Sequence, residues 1–174
     1  MLPGMRSRLV LFALLAVGLG LLGWAIFARE TDEEAIRRRL DALAAAVVIV
    51  PDEAVVPRAL RVRQGLQEGI ERRARIDVPD VGVQLDRDEL VAAAVQAGQR
   101  YRAGDVAWSD VRVEVRTGTE AHVEATAKLT ATGGGGEPRS DERAVSLDLR
   151  KVEGTWLVTA IDVAPGDAAE PDDE

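Results

Sequence analysis

Five side chains have chemistry that could make a site: the carboxylates Asp77 and Asp86, the phenol of Tyr101, the indole of Trp108 and the imidazole of His122. A carboxylate or an imidazole can act as a general base or acid, and a phenol can donate to developing negative charge. An indole can wall an apolar pocket. Cysteine is absent, which excludes thiolate nucleophiles, disulfides and thiolate metal sites together. A single histidine gives no zinc set, and Asp77, Asp80, Asp86 and Asp88 lack the spacing of a calcium-binding loop. Gly133 to Gly136 runs into Glu137-Pro138 without a Lys-Ser/Thr pair, so it reads as a connection rather than a phosphate loop. Neither a metal nor a cofactor is expected.

Each candidate also has a structural role open to it. Asp86 stands three residues before Glu89, the spacing of a helix N-cap. Asp77 lies beside Val78-Pro79 in a strand-to-turn segment. Tyr101 suits packing near a helix end, and Trp108 the rim or the mouth of a pocket. Trp156 belongs with the sheet. His122 falls on the polar alternate of Val123, Ala125 and Ala127, which places it on an exposed strand face. Found instead on a concave face with an acid nearby, it would form an acid–base site.

The elements that must position these residues follow from periodicity. Thr31-x-x-Glu34 reads as a capping box, and Ile36, Leu40, Leu43 and Val47 form an apolar helical stripe that Pro51 should end. A second helix begins near Pro57 with Ala59, Val62, Leu66 and Ile70 on one side. Gly65 and Gly69 weaken it by up to about 1 kcal/mol each, which implies close packing or imperfect order. Ala74 to Val78 reads as a brief strand. A third helix, capped by Asp86, carries Leu90, Val91, Ala94, Val95, Gly98 and Tyr101 and exits at Gly104-Asp105.

Beyond this point the period becomes two. Val111, Val113 and Val115 alternate with charged residues, and Thr117-Gly118-Thr119 makes a turn. Val123, Ala125, Ala127 and Leu129 form a second strand face, and Val145, Leu147 and Leu149 a third. Glu153-Gly154 turns the chain into Trp156, Val158 and Ala160, with Leu157, Ile161 and Val163 on the other face. The pattern is α+β, an antiparallel meander with three helices on one side.

Ahead of all this lies the uncharged run Leu9–Ala28, long enough at about 30 Å to span a bilayer. Arg6 and Arg8 precede it, and Glu30, Asp32, Glu33 and Glu34 follow it, so residues 1–8 are expected in the cytoplasm and the rest outside. The run exceeds the apolar core of a cleaved signal peptide and ends without Ala-x-Ala, which favours an anchor at residues 9–28. Ala16 and Gly20 offer only a weak helix-pairing motif. The formal charge is −8, and because the first 28 residues carry only Arg6 and Arg8, the remainder stands at −10. That acidity argues against nucleic acid as a partner. Arg-dominated basic residues and abundant alanine suit a bacterium with a GC-rich genome.

The order helix, helix, short strand, capped helix and meander resembles the NTF2-like superfamily, including its SnoaL-like and ketosteroid-isomerase-like branches. Gln84-Leu85-Asp86-Arg87-Asp88-Glu89-Leu90 is similar to the family's turn and helix start. Gly154-Thr155-Trp156-Leu157-Val158 is similar to its Gly-x-Trp opening of the last strand. The resemblance implies a cone-like domain over residues 31–164, often with an apolar pocket, followed by an acidic tail at 165–174. It also implies a possible isomerase, with Asp77 or Asp86 as base and Tyr101 as donor, although the first helix lacks the family's oxyanion tyrosine. The leading expectation is a non-enzymatic, single-pass bacterial inner-membrane protein whose outward domain binds another envelope protein or itself. A binder of a small apolar ligand, using Tyr101 and Trp108, comes second, and an enzyme third.

Overall fold

The computed structural model describes residues 30–79 and 82–165. Among them no helix is long and apolar enough to cross a membrane. The run 9–28, the segment 1–8 and the tail after Pro165 lie outside the described residues.

Helix α1 (Asp32–Val47) begins with the expected capping box. Thr31 Oγ1 accepts from the Glu34 N–H at 3.2 Å, while the Thr31 N–H donates to Glu34 Oε2 at 3.0 Å. Ile36, Leu40 and Leu43 are buried along its inner side. The helix stops short of Pro51, where Val47, Val48, Ile49 and Val50 make a β-branched run that disfavours helix. Ile49 instead exchanges two backbone hydrogen bonds with Gly104.

Helix α2 (Val55–Gly69) holds Pro57 in its first turn. Close packing accounts for both of its glycines. A Cβ at Gly65 would sit 2.3 Å from the Cβ of Ala46, and one at Gly69 would sit 2.5 Å from Leu43 Cδ2. Strands β1 (Ile70–Val78) and β2 (Val83–Leu85) then lead into α3 (Arg87–Arg100). Asp86 caps α3, accepting from the Glu89 N–H at 2.9 Å, and the Glu89 carboxylate accepts from the Asp86 N–H at 2.8 Å. The helix ends at Arg100 rather than at Gly104-Asp105. Tyr101 already opens β3 (Tyr101–Thr117), and Gly104 lies within that strand, where it lets Ile49 approach. Strands β4 (Glu120–Gly133), β5 (Pro138–Val152) and β6 (Thr155–Val163) complete the chain.

The sheet runs β2-β1-β6-β5-β4-β3. The meander from β3 to β6 is antiparallel as expected, and β1 adds to it parallel to β6. Register irregularities bend the sheet around its helices, among them those between Ile70 and Arg75 in β1, around Asp110 (φ 52°) in β3, and opposite Asp148 and Leu149 in β6. The last one inserts Thr159, whose hydroxyl donates to the Asp148 carbonyl at 3.1 Å. The inserted residue reverses the side-chain alternation. Trp156 and Val158 face the core, and beyond the bulge Ile161 and Val163 face it too, in place of Ala160. The strict alternation read from the sequence for this last strand fails at Thr159.

The core is continuous. Ile36 and Leu40 of α1, Val62 and Leu66 of α2, and Val91 of α3 pack on Val123, Leu147, Leu149, Trp156 and Val158 of the sheet.

Candidate functional site

The five candidate residues are not brought together. Asp77 lies within β1, paired with Gln84 on one side and Asp162 on the other, and it alternates with the buried Ala74 and Ile76 onto the outer face. It is therefore a strand residue and not part of a turn. Asp86 has its carboxylate committed to the α3 cap. Tyr101, half-buried at the start of β3, lines an open hollow of about 430 Å³ with Arg100, Gly133 and Arg139.

Trp108 points inward from β3. Its indole Nε1–H donates to the Leu40 carbonyl of α1 at 3.0 Å, and its ring packs against the core. Arg37 of the same helix donates to the Val111 carbonyl at 2.9 Å. Helix α1 is thus held against the inner face of the sheet. The hollow beside Tyr101 is open, and Trp108 packs against the core.

His122 does find an acid, but on the outer face. Its Nδ1 lies 2.8 Å from Asp148 Oδ1, and its Nε2 lies 3.5 Å from Ser146 Oγ. Because the carboxylate can only accept, Nδ1 carries the proton and Nε2 faces the serine hydroxyl. Arg116 Nη1 stands 3.8 Å from the same Asp148 oxygen. Sequence reasoning missed Ser146, Asp148 and Arg116. The available signal was the glycine connection: β4 and β5 pair about Gly135, so residues equidistant from it, such as His122 and Asp148, are opposite each other.

The order serine, histidine, carboxylate is that of a nucleophile, its base and an orienting acid. Two features set the cluster apart from that template. The serine–histidine separation of 3.5 Å is longer than the range of about 2.6–3.2 Å of a tight nucleophile–base hydrogen bond. Ser146 also pairs with Glu124 on one side and Asp162 on the other, so the neighbouring backbone N–H groups serve the ladder and not an oxyanion. What the cluster does is join β4 to β5 through a polar contact on the solvent side.

A second polar cluster fixes α1 to the β5–β6 hairpin. Asp32 Oδ1 accepts from Lys151 Nζ at 2.5 Å and from the Trp156 indole at 3.1 Å. Lys151 also stands 5.5 Å above the Trp156 ring. The Lys151 hydrogen bond, followed by that of Trp156, holds the Asp32 carboxyl below its ordinary value. Among the described residues no group of three or more histidines and acids is placed to hold a metal.

No protein-family model matches the chain, and no curated protein does. Solved structures do. An NTF2-like protein from Cytophaga hutchinsonii superposes with a TM-score of 0.59 at 14% identity, over 78% of this chain and 98% of that one. A candidate scytalone dehydratase from Novosphingobium aromaticivorans gives 0.61 at 12% identity, over 78% and 86%. The association domain of C. elegans CaMKII gives 0.57 at 11% identity, over 76% and 94%. At such identities the likeness is one of fold alone: the domain has the NTF2-like fold.

Proposed function

We propose that this chain is a membrane-anchored, extracytoplasmic protein-interaction or assembly module without enzymatic activity. One observation carries the reading: α1 packs on the inner face of the sheet, with Trp108 tied to the Leu40 carbonyl and its ring against the core. A ligand binder needs an open apolar pocket with converging polar groups, and an enzyme needs an oriented base in it as well. Asp86 is spent as a cap, Asp77 and His122 face outward, and Trp108 fills the interior. The run 9–28 supports attachment to the bacterial inner membrane, and the charge asymmetry around it supports an outward domain over residues 31–164.

The test is thermal unfolding of the full chain with a panel of steroids, aromatic polyketides and fatty acids. A ligand present at 100 times its Kd would add about 2.7 kcal/mol and raise the midpoint by several degrees. No dose-dependent shift is expected. A saturable shift that persists in a Trp108-retaining variant with altered surface residues would return the ligand reading to first place. The location is checked separately: a cysteine at exposed Lys128 should react with an impermeant maleimide in spheroplasts, and labelling only after lysis contradicts the outward orientation.

A further inference from the structure

We propose that the open edge of β3 pairs with β3 of a second copy of this chain, antiparallel and in one register centred on Val113. This rests on the interaction-module reading and names its partner. Strand β3 is 17 residues long and lies at one edge of the sheet. The opposite edge, β2, has only three residues and gives a second strand little to bond.

Part of the β3 edge is already used. Gly104 turns its N–H and C=O outward to Ile49, so the odd-numbered residues from Ala103 to Ser109 bond β4. The extra residue at Asp110 shifts this alternation. Beyond it Arg112 and Glu114 bond Glu124 and His122, and the backbone groups of Val111, Val113 and Val115 turn outward. The Arg37 bond to the Val111 carbonyl agrees with that direction. Among the described residues, no other group bonds the outward N–H and C=O of Val113 and Val115.

Charged side chains on an edge ordinarily discourage pairing. Here their order favours one partner, an identical strand. Arg112 and Glu114 project on the outer face with side chains 82% and 71% exposed, and Glu124 and Arg116, their opposite charges, stand no closer than 3.9 Å. In an antiparallel pair centred on Val113, Arg112 of each copy lies directly opposite Glu114 of the other. Moving the centre to Arg112 or to Glu114 sets two arginines or two glutamates face to face instead.

The backbone fits the same register. Val113 meets Val113 as a hydrogen-bonded pair, and Val111 meets Val115. The Val111 carbonyl keeps a second lone pair beside its Arg37 bond. The two-fold axis passes between the two Val113 residues perpendicular to the sheet, so outer face continues into outer face. The contact is complementary to itself, as a two-fold contact must be. A foreign strand would need its own arginine and glutamate at that spacing.

The absence of cysteine makes the experiment clean. Full-length Arg112→Cys and Glu114→Cys chains, co-expressed and oxidised in membranes, should give a mixed disulfide dimer. Their pairing places the Cα atoms about 4.5 Å apart, within the reach of a disulfide. Lys128→Cys, on β4, should not crosslink. In detergent, sedimentation of the otherwise native chain should show dimer. Arg112→Glu and Glu114→Arg should each weaken it at least tenfold and leave far-UV circular dichroism unchanged. An equal mixture of these two variants, and the double variant, should recover the native affinity. A monomer at all concentrations, a dimer indifferent to both single changes, no recovery in the mixture, or crosslinking through Lys128→Cys overturns the proposal. A monomeric chain that crosslinks through Arg112→Cys to a different envelope protein would assign the edge to a foreign strand and overturn it too. Failure of the pairing leaves an interaction module with another partner, whereas ligand-induced stabilisation would sink the module reading itself, so the two failures are distinct.

Discussion

Substituting Gly65 by alanine tests how closely α1 and α2 cross. In isolation the change should help, because alanine is favoured over glycine in a helix interior by about 1 kcal/mol. The structure reverses the sign. The new methyl would lie 2.3 Å from the Ala46 methyl, whereas two such carbons rest at roughly 3.5–4.0 Å. One helix must back away by more than 1 Å, and overpacking of this kind costs about 1–3 kcal/mol. The expected net effect is a loss of about 1 kcal/mol, read as a lower urea midpoint by far-UV circular dichroism. Ala46→Gly alone should also destabilise, through helix propensity and a small void. Together the two changes move the small residue from one helix to the other, and the double variant should recover most of the native midpoint. A coupling of about 1–2 kcal/mol in the cycle is the signature. If Gly65→Ala stabilises the chain, or the two changes add independently, the close crossing is wrong.

Other expectations follow from single contacts. Asp32→Asn should lower the unfolding midpoint at pH 7, and its deficit should vanish in acid. The folded carboxyl is held below its ordinary value, so its contribution is present above the unfolded pKa of about 3.9 and is lost as pH falls through the folded one; a deficit constant down to pH 2 would show that the Lys151 and Trp156 contacts do not depend on the charge. Arg58 is 5% exposed and its Nε has no partner, so Arg58→Met should stabilise by about 1 kcal/mol in urea unfolding, and a clear loss would reveal a partner for the guanidinium. Glu153 and Gly154 turn with φ of 50° and 82°, so Glu153→Asn should raise the midpoint by roughly 0.5 kcal/mol, with no gain counting against a turn of this type. The chain should remain unlabelled by a fluorophosphonate, and labelling lost in both Ser146→Ala and His122→Ala would prove the outer-face serine nucleophilic.

Much of the fold was legible because local chemistry and global packing agree. Both capping boxes, the α1 stripe, the alternation through β4 and β5 and the Glu153-Gly154 turn each rest on a few neighbouring residues. What escaped depends on register. Nothing local marks Thr159 as an inserted residue, yet that insertion puts Ile161 and Val163 in the core. The glycine at 104 reads as a helix exit in a one-dimensional pattern, and only its partner Ile49 explains it as a strand residue. The parallel pairing of β1 with β6 joins segments separated by the entire meander. The candidate site was less legible for the same reason. Residue types picked out Trp108 and His122, but which face each occupies, and whether α1 closes the concavity, are decided by packing.

Native mass spectrometry of the full-length chain, released gently from membranes, tests the filled interior most directly. The account predicts masses of the polypeptide alone, singly or in copies, with no small molecule retained through collisional desolvation. A stoichiometric apolar adduct that stays with the folded domain and is lost on unfolding would contradict it.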